Sequence, residues 1–212
     1  MKRIFTLVVL FTLISAITSY SKKQDDNAKI SGIPGTVQFT LGGGHHSSVN
    51  YVSWSPNGSK VATASDDGTS KIWDASTGLL LNNLAGSTGH SNIVNNVSWS
   101  PDGSKVATAS RDRTSKIWNA TTGELLLTLS GGTDWFWNVS WSPDGSKVAT
   151  VNSNMTSRIW NASTGELLLT LTGHTSLIIN VTWSPDGSKV ATASVDGTSK
   201  IWEASTGELL FT

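Results

Sequence analysis

The chain has 212 residues, with 15 basic and 15 acidic side chains, 10 tryptophans, 20 glycines and no cysteine. Its length fits a single domain. Balanced charge leaves no basic field for nucleic acid, and the lack of cysteine excludes disulfides, thiolate metal sites and cysteine nucleophiles.

Lys2 and Arg3 precede an apolar run over 4–17, followed by Thr18, Ser19, Tyr20 and Ser21. Basic, apolar, then small residues predict a signal peptide over 1–21, with an uncleaved N-terminal anchor as the alternative. Either reading puts the rest of the chain outside the cytoplasm: secreted, periplasmic or in the cell envelope. Membrane contact is expected only through an uncleaved leader. Residues 22–35 are polar, with Asp25, Asp26, Gly32 and Pro34, and read as a flexible spacer.

The remainder, 36–212, is one stretch written four times. Trp54, Trp99, Trp141 and Trp183 stand 45, 42 and 42 residues apart, and Trp73, Trp118, Trp160 and Trp202 keep the same spacing. Self-similarity at this period marks a repeat architecture. The repeats run over about 44–84, 89–129, 131–171 and 173–212. In the last copy, 179–184 alternates, with Ile179, Val181 and Trp183 on one face. Ser184, Pro185, Asp186 and Gly187 then form a turn. Strands over 188–194 and 199–202 and a fourth over 208–211 follow, with a turn at Val195, Asp196 and Gly197. The small Ala and Ser side chains of the second strand suit crowding toward an axis. Four short antiparallel strands in about 40 residues make one propeller blade, so the fold class is all-β, a β-propeller of four-stranded blades.

The motif order resembles the WD-repeat family of β-propellers. Gly-His pairs (Gly44-His45, Gly89-His90, Gly173-His174) come first. Trp-Ser-Pro-Asp/Asn-Gly follows, then Ala-Ser-x-Asp, then Lys-Ile-Trp, with a literal Trp-Asp at Trp73-Asp74. The Tol-type cell-envelope propellers share the Trp-Ser-Pro-Asp-Gly turn but not its partners, and rank second. The resemblance implies a non-catalytic scaffold that presents loops and a central funnel to a protein or peptide, with no cofactor.

His, Ser and Asp recur together and superficially suggest a hydrolase triad. The resemblance instead implies a structural network within each blade, in which Asp orients His, His bonds Ser, and Ser bonds the Trp indole. Its members are His45, Ser65, Asp67 and Trp73; His90, Ser110, Asp112 and Trp118; and His174, Ser194, Asp196 and Trp202. One such set per blade suits structure better than catalysis. A metal site is not expected, because the histidines sit in different blades with no cysteine and no carboxylate cluster nearby. A propeller-based enzyme is the remote alternative. Seven Asn-x-Ser/Thr sequons occur, largely because the repeat contains them.

The third copy departs from the pattern: Gly132 replaces His, Asn152 replaces Ser and Asn154 replaces Asp. This blade is expected to be the least rigid, and restoring all three residues is expected to raise the melting temperature. Its link carries Trp135, Phe136 and Trp137. Alternation turns Phe136 inward and Trp135 and Trp137 outward, as candidate partner-binding anchors. Ile93, Asn95, Leu177 and Ile179 hold equivalent positions, as do Ser48 and Asn50.

Closure is a separate question. A strand over 36–41 and the last strand, 208–211, compete for one edge. The chain is then part of a longer protein, the first choice, or half of an eight-bladed ring completed by a homodimer, or an open arc with exposed edges.

Overall fold

The computed structural model describes Leu41 and residues 44–212. The leader, the spacer and nearly all of the strand expected over 36–41 lie outside the described residues. Four antiparallel four-stranded sheets follow one another, each built from one repeat in simple up-and-down order. The first blade contains β1 (Val49–Trp54), β2 (Lys60–Ser65), β3 (Ser70–Asp74) and β4 (Leu80–Leu84). The second contains β5 (Val94–Trp99), β6 (Lys105–Ser110), β7 (Thr114–Asn119) and β8 (Leu125–Ser130). The third contains β9 (Phe136–Trp141), β10 (Lys147–Asn152), β11 (Ser157–Asn161) and β12 (Leu167–Leu171). The fourth contains β13 (Ile178–Trp183), β14 (Lys189–Ser194), β15 (Ser199–Glu203) and β16 (Leu209–Phe211). The result is part of a propeller ring.

The first turn of each blade is built by its own side chains. Ser100 Oγ donates to Asp102 Oδ1 at 2.6 Å, and the Lys105 N–H donates to Ser100 Oγ at 2.9 Å. Gly103 takes φ of 71°, a left-handed conformation that glycine adopts without steric cost. The same turn recurs at Gly145 and Gly187.

The core lies between blades. The front face of the first blade offers Ala62, Ala64, Ile72 and Leu84, which pack on Val97 and Trp99 in the rear face of the second. Two further clusters repeat this arrangement between the second and third and between the third and fourth blades. Each fully buried aliphatic or aromatic side chain contributes roughly 1.5–3 kcal/mol. The second-strand alanines therefore face the neighbouring blade, not the axis. The first strands line the axial hollow, with Tyr51, Asn96, Asn138 and Asn180 on its wall.

One strand pattern is corrected. The register of β13 against β14 shifts between Ile178 and Asn180. A bulge of this kind interrupts two-residue alternation. Ile178 is therefore buried and Ile179 exposed, and only Val181 and Trp183 keep the inward face expected of them.

Candidate functional site

The recurring polar set forms a hydrogen-bonded chain whose relay is a threonine. In the second blade Trp118 Nε1 donates to Thr108 Oγ1 at 3.0 Å, and Thr108 Oγ1 lies 2.7 Å from His90 Nε2. His90 Nδ1 lies 2.8 Å from Asp112 Oδ2. The carboxylate can only accept, so Nδ1 carries the proton; Nε2 then accepts from the threonine hydroxyl, which accepts from the indole. Thr63 and Thr192 do the same in the first and fourth blades. This corrects the role expected of the serines. Ser110 Oγ bonds the backbone carbonyls of Asn92 and Ile93 and accepts from the Asp112 N–H. Ser194 does likewise with Ser176, Leu177 and Asp196. Ser65 repeats the pattern more weakly, 3.5 Å from the Ser47 carbonyl. The serines fasten the incoming link to the second turn and do not touch histidine. A Ser-His-Asp reaction geometry is therefore absent from these sets.

Charge follows the same bonds. Burial lowers the His90 and His45 pKa values below the ordinary 6.5, against the hydrogen bonds that they donate to Asp112 and Asp67, which raise them. Burial pushes the Asp112 carboxyl up, but hydrogen bonds from His90, Thr114 and the Ser91 N–H hold it well below the usual range. Both shifts have one sign. A lowered native pKa means that the unfolded chain takes up the proton first as pH falls, so stability rises with pH. The melting temperature should drop as pH falls below about 6.5, through the histidines, and again below about 4, through the aspartates. Thermal melts at pH 7, 5 and 3 check this; a flat profile from 7 to 5 contradicts it.

The third blade keeps only part of this chain. Trp160 Nε1 donates to Thr150 Oγ1 at 2.8 Å, with no histidine above it. Arg158, standing where other blades have lysine, reaches into this region. Its Nη1 donates to the Gly131 carbonyl, and its Nη2 lies 3.6 Å from Asp134 Oδ2. Asn154 Nδ2 donates to Asp134 Oδ2 at 2.7 Å. Asn152 is fully buried, and both of its amide atoms lack a hydrogen-bond partner among the described residues.

Above this network, the links and second turns of the second and third blades meet. Phe136 is buried against Trp160, and Trp135 is 43% exposed. The Arg111 guanidinium carbon lies 5.6 Å from the Trp135 ring centre and 4.8 Å from that of Trp137, within cation–π range. Arg111 Nε donates to Asn95 Oδ1 at 3.2 Å, and Asn95 Nδ2 donates to the Phe136 carbonyl at 2.9 Å. Among the sequence candidates, the structure thus brings Trp135, Trp137 and Asn95 together. Asn95 is occupied in clamping two blades, and Trp137 is half-buried against the cluster between the third and fourth blades. Ile93 is half-buried and gives its carbonyl to the Arg111 N–H. Leu177 and Ile179 belong to the fourth blade: Leu177 gives its carbonyl to the Val195 N–H, and Ile179 is exposed. Sequence reasoning missed Arg111. Its signal was positional: Asp66, Ser153 and Val195 occupy the same turn place in the other copies.

Among the described residues, no group of three or more His, Asp or Glu could hold a metal ion. None of their helices is long and apolar enough to cross a membrane.

The sequence profile of the WD domain, G-beta repeat matches residues 35–74, 82–119, 123–161 and 165–203. The chain is 50% identical over 38 residues to Periodic tryptophan protein 2 of Saccharomyces cerevisiae, covering 18% of this chain and 4% of that protein. It is 40% identical over 74 residues to Nuclear distribution protein nudF of Aspergillus flavus and of Aspergillus oryzae, covering 35% of this chain and 16% of each relative. The match thus spans a small part of these proteins. It also corrects the expected location. The relatives are yeast and fungal proteins, two of them named for nuclear distribution, which points away from secretion, the periplasm or a Tol-type envelope role.

Proposed function

The chain belongs to the WD domain, G-beta repeat family, and on that premise we propose that it is a non-catalytic scaffold holding a protein or peptide partner where Arg111, Trp135 and Trp137 meet. WD-repeat proteins generally mediate protein–protein interaction, which supports the broader half of this reading. The observation that carries the finer half is the guanidinium laid over both indoles. Exposed Trp and Arg are the side chains most often found at binding hot spots. A stacked, pre-positioned arginine loses less freedom on binding. Trp135 offers apolar surface, and the Arg111 Nη groups offer donors to a carboxylate or carbonyl. A partner segment with an apolar side chain next to an acceptor fits this surface.

Trp135→Ala should cost at least about 2 kcal/mol of binding, roughly thirtyfold in Kd. Because Trp135 is exposed, the melting temperature should stay unchanged. Affinity capture from extract with wild type and the variant checks this: identical capture profiles, with both proteins folded, would sink the proposal.

A further inference from the structure

The two outer faces of the blade series are unlike the three inner junctions, and each lacks what the other supplies. At every inner junction the first-strand tryptophan of the following blade donates its indole N–H to a carbonyl of the preceding one. Trp99 bonds Ser53 at 3.0 Å, Trp141 bonds Ser98 at 3.1 Å and Trp183 bonds Ser140 at 3.2 Å. Those tryptophans are 6%, 7% and 9% exposed, whereas Trp54, at the same place in the first blade, is 63% exposed. The repeat puts Thr182 of the fourth blade where Ser53, Ser98 and Ser140 stand.

A second contact repeats in the same way. A Cβ on Gly103, Gly145 or Gly187 would touch Pro56, Pro101 or Pro143 of the preceding blade, at 3.5–3.6 Å, while one on Gly58 would meet nothing within 4 Å. Pro185 is the matching proline of the fourth blade. On that blade's front face the apolar residues are likewise uncovered. Ile201 is partly exposed, whereas Ile72, Ile117 and Ile159 are fully buried. Phe211 is exposed, although Leu127 and Leu169, its equivalents, pack on the following blade. Ile179 belongs to this uncovered face too: Trp137, its equivalent, packs on the next cluster.

We propose that the rear face of the first blade takes the front face of the fourth blade of a second copy of this chain, with Trp54 Nε1 donating to the Thr182 carbonyl and Gly58 seated on Pro185. The missing junction would reproduce three existing ones position for position, with Thr182 in place of serine and Phe211 in place of leucine. A face that binds a different face of its own kind makes a ring or a filament. Propellers hold about 4–8 blades, so two copies of these four blades, each giving one junction to the other, make a closed ring of eight.

The full 212-residue chain at micromolar concentration should therefore run in light scattering at twice 22.5 kDa. Trp54→Asp and Phe211→Asp alter exposed side chains on opposite faces, so each should remain folded by circular dichroism and become monomeric. An equimolar mixture of the two retains one intact junction and should recover dimer. Trp54→Phe, which removes the donor and part of the ring at both junctions of the dimer, should weaken it at least roughly thirtyfold. A monomeric wild type would overturn the proposal, as would a larger assembly, or a dimer that survives either aspartate substitution. Association through the leader would survive both and is thereby told apart.

Discussion

Thr108→Val should destabilise the protein by roughly 2–6 kcal/mol, the largest effect of any one-atom change in the second blade. Valine keeps the shape but removes the hydroxyl. Trp118 Nε1 then loses its acceptor and His90 Nε2 its donor. Both lie in a buried environment, and an orphaned buried polar group costs about 1–3 kcal/mol. Thr150→Val in the third blade orphans only the Trp160 indole, so it should cost about half as much. Ser110→Ala should also cost less than Thr108→Val, because it frees carbonyls at a link edge and a turn N–H. Denaturant unfolding of the three variants reads these differences. Equal losses for Thr108→Val and Ser110→Ala would restore serine as the relay.

The second large effect concerns the third blade, where two substitutions toward the repeat pattern should act in opposite directions. Asn152→Ser should stabilise by about 1 kcal/mol or more. It removes two unpartnered buried amide atoms and supplies a hydroxyl suited to the link carbonyls, as Ser110 does. Gly132→His should destabilise by about 1–3 kcal/mol, because Gly132 has φ of 116°, which side chains rarely adopt. Arg158 also already bonds the neighbouring Gly131 carbonyl. Restoring all three positions together should therefore leave the protein less stable than Asn152→Ser alone, contrary to the gain expected from the pattern. Thermal melts of the single and triple variants decide it.

Much of the fold was legible because the repeat states each blade four times. The tryptophan spacing, the Ser-Pro-Asp-Gly turn and the Val-Ala-Thr strand all point to one four-stranded unit, and agreement across levels makes such a reading firm. What escaped has identifiable causes. Thr108 and Ser110 sit two apart on β6 and both look like polar members of one strand; only the third dimension tells which hydroxyl meets the indole. The bulge at Ile178 and Asn180 inverted Ile179, since alternation cannot reveal an extra residue. Arg111 lies 24 residues before Trp135 in a different repeat, and no local pattern joins them. The half-exposed arginine became significant only when both indoles were found around it. The copies that agree describe the scaffold; those that differ, at Arg111, Gly132 and residues 135–137, hold what is particular to this chain.

The most direct test of the division between scaffold and binding face is site-specific photo-crosslinking. A photoreactive phenylalanine analogue is placed at Trp135 in one protein and at exposed Ser205, in the turn before β16, in another. The account predicts a discrete crosslinked partner from position 135 and none from position 205, with the position-135 product lost when Arg111→Ala is added. Equal labelling from both positions, or a partner captured from position 205 alone, would contradict it.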